Sequence, residues 1–331
     1  MPLILALTLV AGVGLAYANG ANDNMKGAAT LVGCGVADHR KALIWATAST
    51  VAGSLLALLL GAALVQTFSG KGLVPDAVLD DPVFVLAVAW GAAGTVFAAT
   101  VAGLPVSTTH ALVGGLCGAG LAVPGGAVHL DQLGKTFVTP LLVGPVVAGL
   151  LVAGAHLVLR RLRAGPGLPR PATGSPRGQA PGEAVATRIH YLSAGAVCLS
   201  RGVNDTPKIV ALLLGTKLLP SAAGIVLVGG CMAVGGILQA RRVTRTMSRR
   251  ITEMNQGQAL SANLVTAVLV LAASRQGMPV STTHVSCGSI MGLGAVTGRA
   301  RWNTVATIVL AWAVTLPLAC ALAAGVALVA G

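Results

Sequence analysis

The sequence predicts an all-α polytopic membrane protein made of two inverted repeats, with broken helices and about 10 crossings, at most 12. Three observations predict it. The 331 residues are 55% hydrophobic and only 9% charged, with a mean hydropathy of +0.83, whereas a soluble domain carries about 25% charged residues. Two polar phrases recur in the same order: Gly-Ala-Asn-Asp-Asn-Met-Lys at 20–26 and Gly-Val-Asn-Asp-Thr-Pro-Lys at 202–208, then Pro-Val-Ser-Thr-Thr-His at 105–110 and again at 279–284. Finally, an odd number of apolar segments separates the start of one copy from the start of the next.

In chain order, the first repeat (1–160) holds apolar segments at about 3–36, 41–66, 83–103, 106–122 and 136–160. Each is long enough, or nearly so, to cross a hydrocarbon core about 30 Å thick. Ala16–Ala18 resembles a signal-peptidase site, but no Lys or Arg precedes it and the polar phrase follows at once, so the segment reads as the first membrane helix. Residues 161–188, rich in Pro, Gly and Arg, read as a flexible linker. The second repeat (189–331) holds segments at about 189–217, 220–240, 258–275, 280–297 and 302–329. The 44 glycines suit helices packed closely through small residues.

The formal charge of +13 excludes less than it suggests. The basic residues sit in short loops, as the positive-inside rule demands, rather than on a nucleic-acid face. Arg160, Arg161, Arg163, Arg170, Arg177 and Arg188 flank or occupy the linker, and Arg241, Arg242, Arg245, Arg249 and Arg250 crowd the 241–257 loop. Both regions are expected in the cytoplasm. With five crossings per repeat, both termini then fall outside. The acidic 67–82 loop also falls outside, and the basic stretches 38–41 and 298–301 fall inside. Five being odd, the second repeat enters the membrane from the opposite face. Inversion brings equivalent phrases together at the midplane, the architecture of many secondary transporters.

Segments 3–36 and 189–217 are too long for one simple helix and carry Gly, Pro and polar residues in their middles. Breaks are expected there, because irregular backbone at membrane depth survives only beside a buried or watery cavity. Besides loop charges, Asp23, Lys26, Arg201, Asp205 and Lys208 remain within membrane segments. Each costs ~2.5–3.5 kcal/mol at a helix centre on insertion scales, so each needs a partner or a polar cavity. Asp23 with Lys26, and Asp205 with Lys208, could be plain internal ion pairs. A buried pair seldom outperforms an apolar replacement, and its placement twice at a helix break favours a site.

The second phrase begins with a proline suited to a helix start and a serine suited to capping it. The hydroxyls of Ser107, Thr108 and Thr109, with those of Ser281, Thr282 and Thr283, would also bind an oxyanion beside free helix N–H groups. His110 and His284 close the two copies and could relay protons or simply bond a neighbour. Arg201 stands where the first repeat has Asn19; it either neutralises an anion or pairs with a nearby Asp. The six cysteines show no Cys-x-x-Cys spacing and read as packing residues rather than metal ligands.

The stretches GANDNMKGAATLVG, PVSTTHALVGG, GVNDTPKIVALLLG and MPVSTTHVSCGSIMGLG resemble the inorganic phosphate transporter (PiT) family, related to sodium–phosphate symporters. The resemblance covers both halves. It implies a multi-pass carrier of the cell membrane, with no cofactor and with inorganic phosphate held centrally and driven by sodium or protons; a homodimer is implied as well. It further implies that Asn22, Asp23, Asn204 and Asp205 line the ion and substrate site and that the hydroxyls of 107–109 and 281–283 hold the oxyanion. Where the family commonly reads Gly-Ala-Asn-Asp-Val-Ala-Asn, this chain ends the phrase with Lys26 and Lys208. That double departure points to protons, or to no ion, in place of sodium. Sulfate is the alternative oxyanion. An integral-membrane enzyme is disfavoured because the two aspartates stand alone in their helices and no Walker-type phosphate loop occurs. A channel is disfavoured by the paired internal sites.

Overall fold

The computed structural model describes residues 2–163 and 181–331. The first repeat contains α1 (Pro2–Asp23), the short α2 (Ala29–Gly33), α3 (His39–Leu60), α4 (Pro82–Ala102), α5 (Thr108–Ala122) and α6 (Thr139–Arg163). The second contains α7 (Pro181–Leu214), α8 (Ser221–Gln239), α9 (Gln256–Arg275), α10 (Thr282–Thr297) and α11 (Trp302–Ala330). Among the described residues there is no strand. Seven helices among the described residues are long and apolar enough to cross a membrane. Membership in that set excludes α5 and α10, of 15 and 16 residues, which at 1.5 Å per residue fall short of a 30 Å core. It excludes α7 because that helix carries the charged phrase. Seven such helices are fewer than the ten crossings expected from the sequence.

The repeats interlock. α1 packs on α8 and α4, and its counterpart α7 packs on α3 and α9; α5 packs on α11, and α10 on α6. Glycines set these contacts in symmetric pairs. A Cβ added to Gly20 of α1 would stand 1.9 Å from the Met232 carbonyl of α8, and one on Gly202 of α7 would stand 2.4 Å from the Thr50 carbonyl of α3. Likewise Gly53 abuts the Leu199 carbonyl and Gly235 the Tyr17 carbonyl, both at 2.0 Å. Such distances leave no room for any side chain, so backbone touches backbone, the packing that replaces the hydrophobic drive in lipid. The outward faces are apolar instead: Leu3, Leu59, Leu150, Val268 and Val329 are all exposed, as a lipid-facing surface requires.

The loops sort to two ends. Val36, Thr187, Arg249, Asn255, Arg299 and Arg301 line one cavity, so the arginine-rich loops share one end of the bundle. At the other end Lys217 pairs with Asp80 at 2.8 Å, and the His129 N–H donates to the Leu73 carbonyl at 2.9 Å.

Three local expectations change. The break expected in both polar phrases occurs only in the first. There α1 ends at Asp23 and a turn over 24–28 leads into α2, with Lys26 N–H bonding Asp23 O three residues back. The second phrase stays helical through Pro207 in the 34-residue α7. One position that differs is Gly27, whose Cβ would lie 2.4 Å from the Ala194 carbonyl; it corresponds to Ile209, fully buried in the core. Second, the prolines do not start the helices. Ser107 and Ser281 are the N-caps, and Pro105 and Pro279 lie two residues earlier. Third, α6 reaches Arg163 and α7 begins at Pro181, so both ends of the expected 161–188 linker are helical. Its middle, 164–180, lies outside the described residues.

Candidate functional site

The two Pro-Val-Ser-Thr-Thr-His phrases meet at the centre and exchange bonds. The hydroxyl of Thr109 donates to the Val280 carbonyl at 3.1 Å, and that of Thr283 donates to the Val106 carbonyl at 2.6 Å. Residues 105–107 and 279–281 precede their helices in non-helical conformation, which leaves those carbonyls free to face the other repeat. The first N–H groups of α5 and α10 have no intrahelical acceptor. Ser107 takes the His110 N–H at 3.1 Å and Ser281 takes the His284 N–H at 3.2 Å. Capping uses each serine oxygen as an acceptor and leaves its O–H free, whereas Thr109 and Thr283 spend theirs on the opposite phrase.

The lysines complete two equivalent nests. Lys208 Nζ donates to Val280 O at 2.6 Å and Thr109 Oγ1 at 2.9 Å, and lies 3.7 Å from Asp205. Lys26 Nζ bonds Asp23 and Thr283 closely and lies 3.5 Å from Val106 O. Each ammonium is therefore held by a carboxylate and a carbonyl of its own repeat and a hydroxyl of the other. Both lysines are 1% exposed, which decides that these are interior charges and not snorkelling ones. Phe68 lies 5.4 Å from Lys208 Nζ and adds a cation–π contact.

Arg201 departs from the symmetry in a specific way. Its Nε lies 3.4 Å from Asp205, and its Nη2 bonds the Asn19 side-chain oxygen. The residue that replaces Asn19 in the second repeat thus grips Asn19 itself. Asn19 Nδ2 in turn lies 2.9 Å from Thr108 Oγ1, 3.2 Å from Asp205 and 3.4 Å from Asp23. Of the two roles open to Arg201, the pairing with Asp205 is present. With every group in its ordinary state, Lys26, Lys208 and Arg201 face Asp23 and Asp205, leaving one net positive charge in a buried site.

Asn22 and Asn204 brace the threonine phrases. Asn22 donates to Thr100 and the Leu104 carbonyl, both at 3.0 Å, and accepts the Val106 N–H at 3.2 Å. Asn204 donates to Thr282 at 3.2 Å and Asp205 at 2.8 Å, and accepts the Ser274 hydroxyl at 3.0 Å. Thr108 and Thr282 accept from Asn19 and Asn204, and neither hydroxyl donates to another described residue. Ser107 and Ser281 likewise only accept, so four buried O–H donors, two from each repeat, remain unspent among the described residues.

His110 and His284 pair with each other rather than with the carboxylates. Their rings meet edge-on at 4.4 Å, and His284 lies against Trp312 with centroids 4.0 Å apart. Neither forms an ion pair with Asp23 or Asp205. Sequence reasoning missed Thr100 and Ser274, which hold the asparagines, and Thr50, 3.4 Å from Arg201. Their only signal was a hydroxyl in an otherwise apolar helix, which serves helix back-bonding elsewhere in this chain, as at Thr95 and Thr315.

A model of the phosphate transporter family matches residues 19–323. The chain is 29% identical to a protein of Rhizobium meliloti (strain 1021) named a probable low-affinity inorganic phosphate transporter, over 98% of this chain and 95% of that one. It is 29% identical to a protein of the same name from Mycobacterium bovis, over 96% of this chain and 75% of that one. Among solved structures, one titled the sodium-dependent phosphate transporter superposes with a TM-score of 0.82, covering 99% of this chain and 98% of that one at 22% identity. That likeness establishes the fold.

Proposed function

Because the chain belongs to the phosphate transporter family, we propose that it is a secondary carrier that moves inorganic phosphate by alternating access, with the ion held between the two repeats. The observation that carries this reading is the set of unspent hydroxyls, Thr108 and Thr282 with the capping Ser107 and Ser281, in a buried site with one surplus positive charge. An oxyanion entering a low-dielectric interior needs both charge compensation and donors. Thr108 and Thr282 supply donors from opposite repeats. Lys26 and Lys208 supply charge from the nests they occupy beside Thr283 and Thr109. A ligand held by both repeats couples its binding to their relative movement, as a carrier requires.

The same geometry supports sodium-independent coupling. A carboxylate, a hydroxyl and a backbone carbonyl are the oxygen ligands a hard cation takes, and each such set here holds a lysine ammonium. A tethered cation in each nest removes the need for a bound one, so the carrier runs without sodium, driven by the phosphate gradient alone or with protons. For orientation, the arginine-rich end faces the cytoplasm by the positive-inside rule, which puts the Asp80–Lys217 end and both termini outside. Uptake of radiolabelled phosphate into proteoliposomes, with sulfate and arsenate as competitors, tests the substrate. Inhibition by arsenate and not by sulfate is the expected result; sulfate uptake exceeding phosphate uptake would assign the site to the other oxyanion.

A further inference from the structure

The arginine-rich end of the first repeat holds a polar seam that its two-fold counterpart lacks. α2 begins one turn beyond Lys26, across the 24–28 turn, and its far end with Cys34 lines a cavity of about 1160 Å³ open at that end. α2 thus lies between the central site and the cavity. Five residues cannot hold a helix by themselves, so bonds to the second repeat decide where α2 sits. Thr30 Oγ1 donates to the Gly27 carbonyl at 2.8 Å, which spends its one proton. It therefore accepts from Asn263 Nδ2 at 3.0 Å and from His190 Nε2 at 3.1 Å. His190 is fully buried, and its Nδ1 has no partner among the described residues. Ser193 joins the seam, bonding the His190 carbonyl at 2.9 Å and lying 3.4 Å from Asn263. Cys34 Sγ adds a contact with the Met254 carbonyl at 3.3 Å.

At the equivalent place in the other half, Leu212 stands for Thr30, Thr8 for His190, Ala11 for Ser193 and Ala89 for Asn263. The Thr8 hydroxyl bonds its own helix at Ile4 O, 2.8 Å away. α7 runs unbroken past Leu212. One end of the carrier therefore has a short segment behind a turn, fastened by side chains, and the other has a continuous helix packed in an apolar core.

We propose that α2 is a gate between the central site and the arginine-lined cavity, hinged at 24–28 and latched shut by Thr30 to His190 and Asn263. The route at the opposite end has no such segment, so it opens only when whole helices move. The proposal rests on the reading of the central site as the phosphate site.

Cys198 reports the gate. It is buried on α7, its Sγ lies 3.7 Å from the Asn24 carbonyl, and a Cβ on Gly27 would come within 3.1 Å of it. The hinge turn seals it. Cys117, buried in the apolar core of the other end, serves as the control. In purified protein retaining only Cys198, Thr30→Val and, separately, Asn263→Ala should each speed modification by N-ethylmaleimide about tenfold, the worth of one buried hydrogen bond. In protein retaining only Cys117, the same substitutions should leave the rate unchanged. No acceleration at Cys198 in either variant overturns the gate. Equal acceleration at both cysteines also overturns it, since the bonds would then hold the whole bundle rather than one segment. Labelling is measured without phosphate, so its failure strikes the gate alone. Absence of phosphate uptake by the unmodified carrier would strike the reading of the site instead.

Discussion

Replacing both lysines, Lys26→Asn with Lys208→Asn, should make phosphate transport depend on sodium. The substitution leaves Arg201 as the cation facing Asp23 and Asp205, so the site passes from one surplus positive charge to one surplus negative charge. Lys26 is in direct contact with Asp23, and Lys208 lies 3.7 Å from Asp205, all of them buried. Removing one partner of a buried pair costs about 3–5 kcal/mol, because the other charge stays uncompensated. That figure is a cost in stability; for uptake, the reversed site charge leaves an entering phosphate uncompensated, and a loss of roughly a hundredfold, about 3 kcal/mol, is expected in sodium-free medium. The oxygens that held each ammonium remain: a carboxylate, a Thr hydroxyl and the Val106 or Val280 carbonyl. Sodium at high concentration should occupy them and restore much of the rate. The assay is uptake of radiolabelled phosphate into proteoliposomes in sodium or choline buffer, with and without a pH gradient. A strict and saturable sodium requirement in the unsubstituted carrier would refute the reasoning, whatever the double variant does.

Other expectations follow from single contacts. Gly27→Ala should lower the thermal stability of the purified protein by about 1–3 kcal/mol, since its Cβ would meet the Ala194 carbonyl at 2.4 Å. Ser107→Ala and Ser281→Ala should each cost about 1 kcal/mol of stability as lost caps, which a thermal melt of the purified protein measures. A cysteine placed at Asp76 should react with an impermeant thiol reagent added outside cells, and one placed at Arg250 should not. The reverse labelling pattern would turn the carrier over in the membrane.

The architecture was legible because its signals are redundant. Two phrases at matching offsets, arginines clustered in alternate loops and apolar runs of membrane length all agree, and the symmetric glycine contacts of α1 with α8 and α7 with α3 follow from them. The charged site was legible for a related reason: Asp23, Lys26, Asp205 and Lys208 are too costly in lipid to be incidental. Its internal division was not. Ser107 and Thr108 are adjacent and chemically alike, and only the backbone turn makes one oxygen a cap for His110 N–H while the other accepts from Asn19. The failed break in the second phrase has the same origin. Pro207 and Gly202 suggested it locally, but α7 is held straight by neighbours such as Thr50 and Ser54 that sequence cannot bring near. The Thr30–His190–Asn263 seam was invisible because its members lie 160 and 233 residues apart.

The central claim is that one phosphate ion is held by both repeats at once, through Thr108 and Thr282. Equilibrium binding of radiolabelled phosphate to purified Thr108→Ala and Thr282→Ala protein tests it most directly. Each hydroxyl would bond a charged oxygen, worth about 1.5–3 kcal/mol, so each variant alone should bind roughly tenfold to a hundredfold more weakly, and the two losses should be similar. A variant that binds phosphate as tightly as the unsubstituted carrier would show that its repeat does not hold the ion, and the two-sided site would be wrong.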